Sequence, residues 1–223
     1  MIYDEFEPRG SLQVSETEAI ELIENWLRQD RMRMQALECV ANLGPIDAWL
    51  AAGFVRNLVW DKLHGTVSRL SDIDVIYFEP SDHSEVTDRA YEAKLVAALD
   101  LPWSVKNQAR MHLKNNHQPY VSVSDAMSYW PEQQTALAVR LRAGELQLLN
   151  LFPLGPLLAL ELSPNPKSTP GVFESRLKAK NWLADYPLLK TPLLKTPLLK
   201  TPLLKTPLLK TPLLKTPLLE TLF

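Results

Sequence analysis

The stretch that decides the fold lies between residues 52 and 78. It reads AGFVRNLVWDKLHG at positions 52–65 and, after a short polar link, SDIDVIYF at positions 71–78. The pattern predicts a buried strand that ends in a glycine turn at Gly53, a helix over residues 55–63 and a second strand over residues 73–78. The β-branched and aromatic residues of the second strand favour extended structure. The sequence therefore predicts a strand–helix–strand unit with two carboxylates at the beginning of its second strand.

Asp72 and Asp74 supply the chemistry of this unit. They stand two residues apart on the inferred strand, so both side chains leave the same face of the sheet. Mg²⁺ in proteins is typically held by one or two carboxylates together with phosphate oxygens of a substrate. We therefore predict that both aspartates are catalytic metal ligands for Mg²⁺ or Mn²⁺. An Asp-x-Asp pair alone also occurs by chance at strand ends and in turns, so its sequence neighbours decide the interpretation.

The glycine turn before the helix is typical of a phosphate site. Gly53 precedes a helix whose first turn presents unpaired N–H groups and the positive end of the helix dipole. Glycine lets the backbone approach an anion closely. Arg56 lies in the first helical turn and would add a charged fork to the phosphate oxygens. The alternative is structural: Gly53 forms a tight turn, and Arg56 pairs with an acidic residue at the surface.

The rest of the domain is predicted from periodicity, caps and turn residues. A capping box at Ser15 and Glu18 begins the first helix. Further helices are predicted at 32–43, 85–99, 124–130 and 175–183, strands at 47–52 and 103–111, and a hairpin over 138–149 that turns at Ala143 and Gly144. Helices mixed with four or five strands predict an α+β domain, in which helices flank one mixed β-sheet.

The C-terminal part of the chain has a different character. PLLKT occurs six times in residues 187–216 and is followed by PLLET at 217–221. A proline at every fifth residue removes backbone donors and blocks both a continuous helix and a central strand. We therefore predict a domain at 1–186 and a disordered or extended low-complexity tail at 187–223. We expect the tail to be dispensable for activity; the alternative is a basic tether for a membrane or a partner.

Charge and cysteine content exclude several classes of protein. Residues 1–186 hold 18 Lys and Arg against 25 Asp and Glu, a net charge of −7, whereas residues 187–223 have a net charge of +5. An acidic domain argues against a large nucleic-acid footprint, which needs many Lys or Arg contacts to phosphates. Cys39 is the only cysteine, which excludes an intrachain disulfide and a cysteine-based metal cluster. The sequence shows neither a signal peptide nor a membrane span, so we expect a cytoplasmic protein.

Four motifs carry a resemblance to a known family. The block AGxxRNxVWDxLHG at 52–65, followed by SDID at 71–74, resembles the core motif of the nucleotidyltransferase fold in the polymerase-beta-like superfamily. More narrowly, it resembles a bacterial family of predicted nucleotidyltransferases. VKNQARMH at 105–112, TALAVRL at 135–141 and WLADYP at 182–187 match further motifs of that family, in the same order. The resemblance covers about residues 18–187.

The resemblance implies the nucleotidyltransferase fold and a set of site residues. It places Asp72 and Asp74 at the metal-ligand positions and Gly53 at the phosphate position. We expect nucleotide and phosphate contacts from Gly53, Arg56, Asn57, Lys106 and Arg110. Lys106 and Arg110 are separated by an even number of residues, so on one strand they would face the same side. The alternative for these two residues is a solvated charge at the rim.

Two positions differ from the usual pattern of the superfamily. Phe54 follows Gly53, where the superfamily usually has Gly or Ser. Active members also commonly carry a third carboxylate on a later strand, beside the Asp-x-Asp pair. The strand predicted at 103–111 has no acidic residue, which leaves Asn107 on that strand or Glu145 on the hairpin as substitutes.

The expected function is metal-dependent transfer of a nucleoside monophosphate from a nucleoside triphosphate to a hydroxyl group, with release of pyrophosphate. A small molecule, a protein and RNA all remain open as the acceptor. The alternative is a non-catalytic nucleotide-binding or regulatory module on the same fold, favoured by Phe54 and the missing carboxylate. A third interpretation is a general interaction protein that binds through its basic tail.

Overall fold

A five-stranded mixed sheet forms the centre of the protein. The computed structural model describes residues 14–44 and 46–192. The strands are β1 (Trp49–Ala51), β2 (Ile73–Tyr77), β3 (Trp103–Asn107), β4 (Leu137–Arg142) and β5 (Glu145–Asn150), in the order β3-β2-β1-β4-β5 across the sheet. β2 and β3 run parallel, and the other neighbours are antiparallel. Because β1 and β2 are antiparallel, the end of β1 lies beside the beginning of β2, where Ala51 pairs with Asp74.

Helices flank this sheet, which confirms the predicted α+β fold. Their bounds are α1 (Glu16–Gln29), α2 (Arg31–Ala41), α3 (Gly53–His64), α4 (Glu85–Ala98), α5 (Met111–Asn115), α6 (Val123–Met127), α7 (Gly155–Leu158), α8 (Val172–Ala179) and α9 (Trp182–Asp185). Short 3₁₀ turns lie at Gln108–Arg110 and Gln133–Thr135. Within the described residues, no helix is both long enough and apolar enough to cross a membrane.

Alternate residues of β2 enter two separate cores. Ile73 and Val75 belong to the larger core, which includes the apolar faces of α1 to α4. Ile76 belongs to a smaller core on the other face of the sheet, where Met127 of α6 packs. Because side chains alternate along a strand, Asp74 lies on the same face as Ile76. That face carries fewer packed residues than the other and leaves room beside Asp74.

Local signals in the sequence explain the ends of several elements. The side chain of Ser15 accepts from the backbone N–H of Glu18, and Glu18 accepts from the backbone N–H of Ser15, so the predicted capping box begins α1. Ala143 and Gly144 have φ angles of 52° and 82°, and they form the predicted two-residue turn between β4 and β5. Both predictions are confirmed.

The strand predicted at 103–111 ends earlier, at Asn107. The side chain of Asn107 accepts from the backbone N–H of Ala109 and thereby caps a 3₁₀ turn that continues into α5. Lys106 therefore lies on β3, whereas Arg110 lies in the turn. The prediction that Lys106 and Arg110 share a strand face is wrong, because a side-chain cap stops the strand between them.

The last predicted helix, over 175–183, is two helices. Asn181 has a φ of 53°, in the left-handed region, and this conformation ends α8 at Ala179 and begins α9 at Trp182. Asn is one of the few residues other than Gly that adopts this conformation readily. The chain changes direction at Asn181, and Trp182 then packs into the larger core.

The first PLLKT unit, at 187–191, packs against the domain. Leu189 is 3 % exposed and belongs to the larger core. The backbone of Lys190 accepts from the N–H of Leu162 and donates to the carbonyl of Leu160. The backbone N–H of Leu188 donates to Nε2 of His64. The tail is predicted over residues 187–223, and its part beyond residue 192 lies outside the described residues.

Candidate functional site

The turn between β1 and α3 has a strained backbone. Ala52 has φ 54° and ψ −118°, a combination that residues with a Cβ rarely adopt, and it directly precedes Gly53 at the first position of α3. Its N–H donates to the carbonyl of Leu137 on β4, which helps to hold this conformation. The turn directs the N-terminus of α3 towards the beginning of β2, because Ala51 and Asp74 are paired.

This turn changes the interpretation of Phe54. Phe54 is fully buried in the larger core and does not line the cleft beside the turn. The residue with the glycine-like conformation is Ala52, and the residue without a side chain at the cleft is Gly53. Ala52 and Gly53 are therefore the two small residues at the cleft, and the side chain of Phe54 belongs to the core.

Gly53 lies at the base of a small cradle of donors. A Cβ at this position would lie 3.4 Å from Nδ2 of Asn57 and 3.5 Å from Nη2 of Arg56. The carbonyl oxygen of the Asn57 side chain accepts from Arg56, which turns the Asn57 amide nitrogen towards Gly53. The first N–H groups of a helix also have no partner within the helix. Backbone and side-chain donors therefore converge at Gly53, where a Cβ would be in van der Waals contact with the side chains of Asn57 and Arg56.

Arg56 is a buried cation in this cradle. It is 5 % exposed, and its guanidinium carbon lies 4.6 Å from the ring centroid of Trp60 and 4.5 Å from that of Trp182. Its Nη1 donates to Oγ1 of Thr135 at 2.7 Å. Burial lowers the pKa of Arg56 to about 10, so the side chain remains charged at neutral pH. Among the described residues, no carboxylate forms an ion pair with Arg56.

A buried guanidinium without a carboxylate partner is costly to fold. The two indole faces and the hydroxyl of Thr135 offset part of that cost. Arg56 and Asn57 both line the cleft. Glu132, which is paired with Arg176, is the carboxylate with the largest effect on the pKa of Arg56. An anionic ligand in the cleft would add to this partial compensation.

Asp72 and Asp74 lie in the same cleft. Asp74 is on β2 and partly buried, and Asp72 precedes the strand and is exposed. Burial raises the pKa of Asp74 to about 6, with a further contribution from the negative charge of Asp72, while Lys180 and Arg56 act in the opposite direction. A divalent cation between the two carboxylates would relieve their repulsion, and carboxylate oxygens are hard ligands. Their chemistry fits Mg²⁺ or Mn²⁺.

The residue beside Asp74 on the neighbouring strand is Ser104. The parallel register of β2 and β3 pairs these two residues directly. Within the described residues, no group of three or more Asp, Glu, His and Cys side chains is arranged to hold a metal ion. The position on β3 that pairs with Asp74 therefore carries a hydroxyl group and not a carboxylate.

The two substitutes predicted for that carboxylate lie elsewhere. The side chain of Asn107 is buried and binds the backbone of Glu79, Asp82 and Ala109, so all of its polar atoms are used in the fold. Glu145 is on the edge strand β5, exposed, and paired with Arg28. The predictions that Asn107 or Glu145 completes the metal site are wrong, because one is a buried cap and the other lies three strands away.

The structure separates the two predicted cations of the strand at 103–111. Lys106 lies beside Ile76 on the face of Asp74, and its charge contributes to the pKa of Asp74. Arg110 is 8 % exposed and paired with Asp88 and, at 3.8 Å, with Glu85. Because these carboxylates already balance the charge of Arg110, this residue is not part of the proposed site.

The C-terminal helices form a wall of the cleft that the sequence did not reveal. The cleft has a volume of about 440 Å³. Besides the residues above, it is lined by the loop at 66–72 and by Arg176, Lys180, Trp182, Asp185 and Tyr186. Trp182 and Tyr186 belong to the WLADYP motif, which is the only sequence signal for this wall. Lys180 and Arg176 carry no sequence signal.

Asp61 ties the loop at 66–72 to the C-terminal wall. One of its oxygens accepts from the N–H and the hydroxyl of Ser68, at 3.1 Å and 2.8 Å. The other accepts from the hydroxyl of Tyr186 at 3.0 Å. Asp61 is 4 % exposed, so its carboxylate is fully occupied by these contacts. It therefore fixes the shape of the cleft.

Comparison with known proteins agrees with this architecture. The sequence profile of a family described as nucleotidyltransferase matches residues 38–191. A solved structure described as "The NMR structure of the protein reveals a CCA-adding enzyme head domain" is 32 % identical, with a TM-score of 0.68, and the match covers 82 % of this chain and 98 % of that one. No curated protein matches the sequence.

A second structure, described as "Structure of tRNA-processing enzyme complex 3", is 15 % identical with a TM-score of 0.43 over 70 % of this chain and 42 % of that one. The family profile spans more than half of the chain, and it includes the turn at Gly53, both aspartates and the C-terminal wall. The chain therefore belongs to the nucleotidyltransferase family of enzymes.

Proposed function

We propose that the protein transfers a nucleoside monophosphate from a nucleoside triphosphate to a hydroxyl group and releases pyrophosphate. The observation that supports this most strongly is the placement of Arg56. This buried cation has no carboxylate partner among the described residues and borders the same cleft as Asp72 and Asp74. An anion site beside a pair of metal-binding carboxylates fits a triphosphate with its cation.

The roles of the residues follow from their chemistry. Asp72 and Asp74 would hold the divalent cation, which supplies charge neutralisation for the phosphates and the leaving group. Arg56 and Asn57 would donate hydrogen bonds to phosphate oxygens above Gly53. The first N–H groups of α3 would add to the same site.

The transfer itself is a substitution at phosphorus. The acceptor oxygen forms a bond to the α-phosphorus, and the bond from that phosphorus to the bridging oxygen breaks. The electron pair of the broken bond leaves with pyrophosphate, and the proton of the hydroxyl group passes to water. Phosphoryl chemistry of this kind depends mainly on positioning and charge stabilisation, and the cleft provides both.

The class of acceptor is constrained by charge. The similar structure is described as the head domain of a CCA-adding enzyme, which raises the end of a nucleic acid as a candidate acceptor. The net charge of −7 over residues 1–186 opposes a broad contact with a polynucleotide. We therefore favour a small hydroxyl-bearing acceptor that fits the cleft.

A non-catalytic nucleotide-binding module is the second candidate. Ser104 favours it, because a hydroxyl group beside Asp74 is a weaker metal ligand than a carboxylate and a poor base. Both candidates predict binding of a nucleotide, and only the first predicts turnover.

Calorimetry and a pyrophosphate assay separate the two candidates. Calorimetry would measure the affinity for a non-hydrolysable triphosphate with Mg²⁺, and the assay would measure pyrophosphate release with each nucleotide and a panel of acceptors. Binding with acceptor-dependent release supports the transferase. Binding without release across the panel supports the module, and absence of binding contradicts both.

A further inference from the structure

Lys180 occupies the corner between α8 and α9 at the edge of the cleft. It lines the same cleft as Asp72 and Asp74. Its side chain therefore borders the space that the aspartate pair also borders.

The backbone around Lys180 is held in place. Lys180 is the C-cap residue of α8, directly after Ala179, and the left-handed conformation of Asn181, with φ 53°, turns the chain immediately after it. The side chain of Asn181 donates to Asp185 at 3.2 Å. Trp182 is anchored by its edge-to-face contact with Trp60, whose ring centroid lies 5.9 Å away. The ammonium group therefore extends on a flexible stem from an anchored corner.

The other cation that α8 contributes to the cleft is already neutralised. Nε of Arg176 donates to Oε1 of Glu132 at 2.6 Å, and Glu132 is fully buried. Within the described residues, Lys180 forms neither an ion pair nor a side-chain hydrogen bond, and it is exposed. Lys180 is therefore available to a ligand, whereas Arg176 supports the wall.

We propose that Lys180 is a phosphate-binding residue that contacts the pyrophosphate part of the nucleoside triphosphate. This inference rests on the proposed function. A lysine offers a compact charge with three donors that can follow a moving group, whereas Arg56 is held against the faces of two indole rings. Negative charge grows on the leaving pyrophosphate as the bond to the α-phosphorus breaks, and a flexible ammonium group at the rim neutralises it.

The test compares the full chain with Lys180→Ala, Lys180→Arg and Lys178→Ala. Lys178 is exposed on α8 and does not line the cleft, so it is the matched control. Calorimetry would measure the affinity for tripolyphosphate, with and without Mg²⁺, and the pyrophosphate assay would measure KM and kcat where turnover occurs. Since Lys180 is exposed, its substitution is expected to leave the melting temperature unchanged.

We expect Lys180→Ala to weaken tripolyphosphate binding about tenfold or more, because a charge-assisted hydrogen bond is lost. Lys180→Arg should restore most of the affinity, and Lys178→Ala should match the parent. An affinity of Lys180→Ala within twofold of the parent, or a parent that binds no tripolyphosphate, overturns the proposal. Loss of binding in Lys180→Ala without turnover in the parent supports the phosphate role and contradicts the transferase, so the two claims fail separately.

Discussion

The guanidinium carbon of Arg56 lies 4.5 Å from the ring centroid of Trp182, across more than 120 residues of sequence. The ring centroid of Trp60 lies 4.6 Å from the same guanidinium carbon, and the two indole rings contact each other edge to face. The C-terminal helix α9 thus completes the environment of a residue in the first turn of α3. This contact joins the WLADYP motif to the glycine turn, and the family profile covers both.

Arg56→Met should lower the affinity for a triphosphate without lowering the melting temperature. Removal of a buried charge that has no carboxylate partner should leave the melting temperature of the ligand-free protein unchanged or higher. The affinity for a triphosphate should fall by about 10- to 100-fold, because one or two charge-assisted hydrogen bonds are lost. Thermal denaturation and calorimetry on the same sample measure the two effects.

Arg142→Met is the matched control for that variant, since Arg142 is exposed at the end of β4. Arg56→Lys should bind as weakly as Arg56→Met, because an ammonium group lacks the planar fork and its stacking on the indole rings. A large loss of stability in Arg56→Met with unchanged affinity would show that Arg56 has only a structural role.

The pH dependence of the free energy of unfolding should show the titration of Asp74. Its pKa is raised to about 6 in the folded protein, from an ordinary value of 3.8. Because the folded protein holds this proton more tightly than the unfolded chain, the contribution of Asp74 to the free energy of unfolding is fully present below pH 3.8. That contribution is lost as the pH rises through about 6. Asp74→Asn mimics the protonated form, so without metal it should be more stable than the parent at pH 8, by on the order of 3 kcal/mol at most.

Near pH 4 the stability difference between Asp74→Asn and the parent should nearly disappear, as urea unfolding at several pH values would show. Mg²⁺ should stabilise the parent at pH 8 and leave Asp74→Asn unaffected. A stability difference that is the same at every pH would contradict the assigned titration of Asp74.

Gly53→Ala should fill the cradle. The new methyl group would lie about 3.4 Å from the amide nitrogen of Asn57, in the space that a phosphate oxygen would take. The free energy of unfolding should change by less than about 1 kcal/mol, because alanine is favourable in a helix. Triphosphate affinity should fall by about tenfold. Calorimetry and urea unfolding would reveal a contradiction if the affinity stayed unchanged.

Ala52→Gly tests whether the backbone of the turn is strained at Ala52. Glycine adopts the φ of 54° at this position without a steric penalty, so the variant should be more stable by about 1 kcal/mol. Nucleotide affinity should be retained, because the small pair at the cleft is preserved. A destabilised variant would show that the conformation of Ala52 carries no strain.

The first PLLKT unit should matter for stability, and the others should not. A chain that ends at residue 192 should match the full-length protein, whereas one that ends at residue 186 should lose the burial of Leu189. Leu189→Ala alone should cost about 2–4 kcal/mol. Deletion of residues 187–191 is the control, since the next identical PLLKT unit then follows Tyr186. Melting temperatures would distinguish these variants, and equal values for all four would contradict the packing of the first unit.

Much of the fold could be predicted because its signals are local. The capping box at Ser15, the turn at Ala143 and Gly144 and the strand that carries Asp74 each depend on residues within a few positions. The aspartate pair and the glycine turn lie within one strand–helix–strand unit, so their proximity also followed from the sequence.

The rest could not be predicted because it depends on contacts distant in sequence. Lys180 reaches the cleft only through the turn at Asn181 and the packing of Trp182. The residue beside Asp74 follows from the register of β3, which identifies Ser104 rather than Asn107. Ala52 takes a backbone conformation that is usual for glycine. The sequence therefore places the turn at Gly53, although the residue with the positive φ is Ala52.

The most direct test of the central claim measures pyrophosphate release by Asp72→Asn, Asp74→Asn and Asp100→Asn. Asp100 is exposed and does not line the cleft, so its variant controls for the loss of one negative charge. The assay uses Mg²⁺, each nucleoside triphosphate and the acceptor that supports release by the parent. Loss of at least about 100-fold in both cleft variants, with full activity in Asp100→Asn, is the predicted result. Unchanged release by Asp72→Asn and Asp74→Asn would contradict the proposed site.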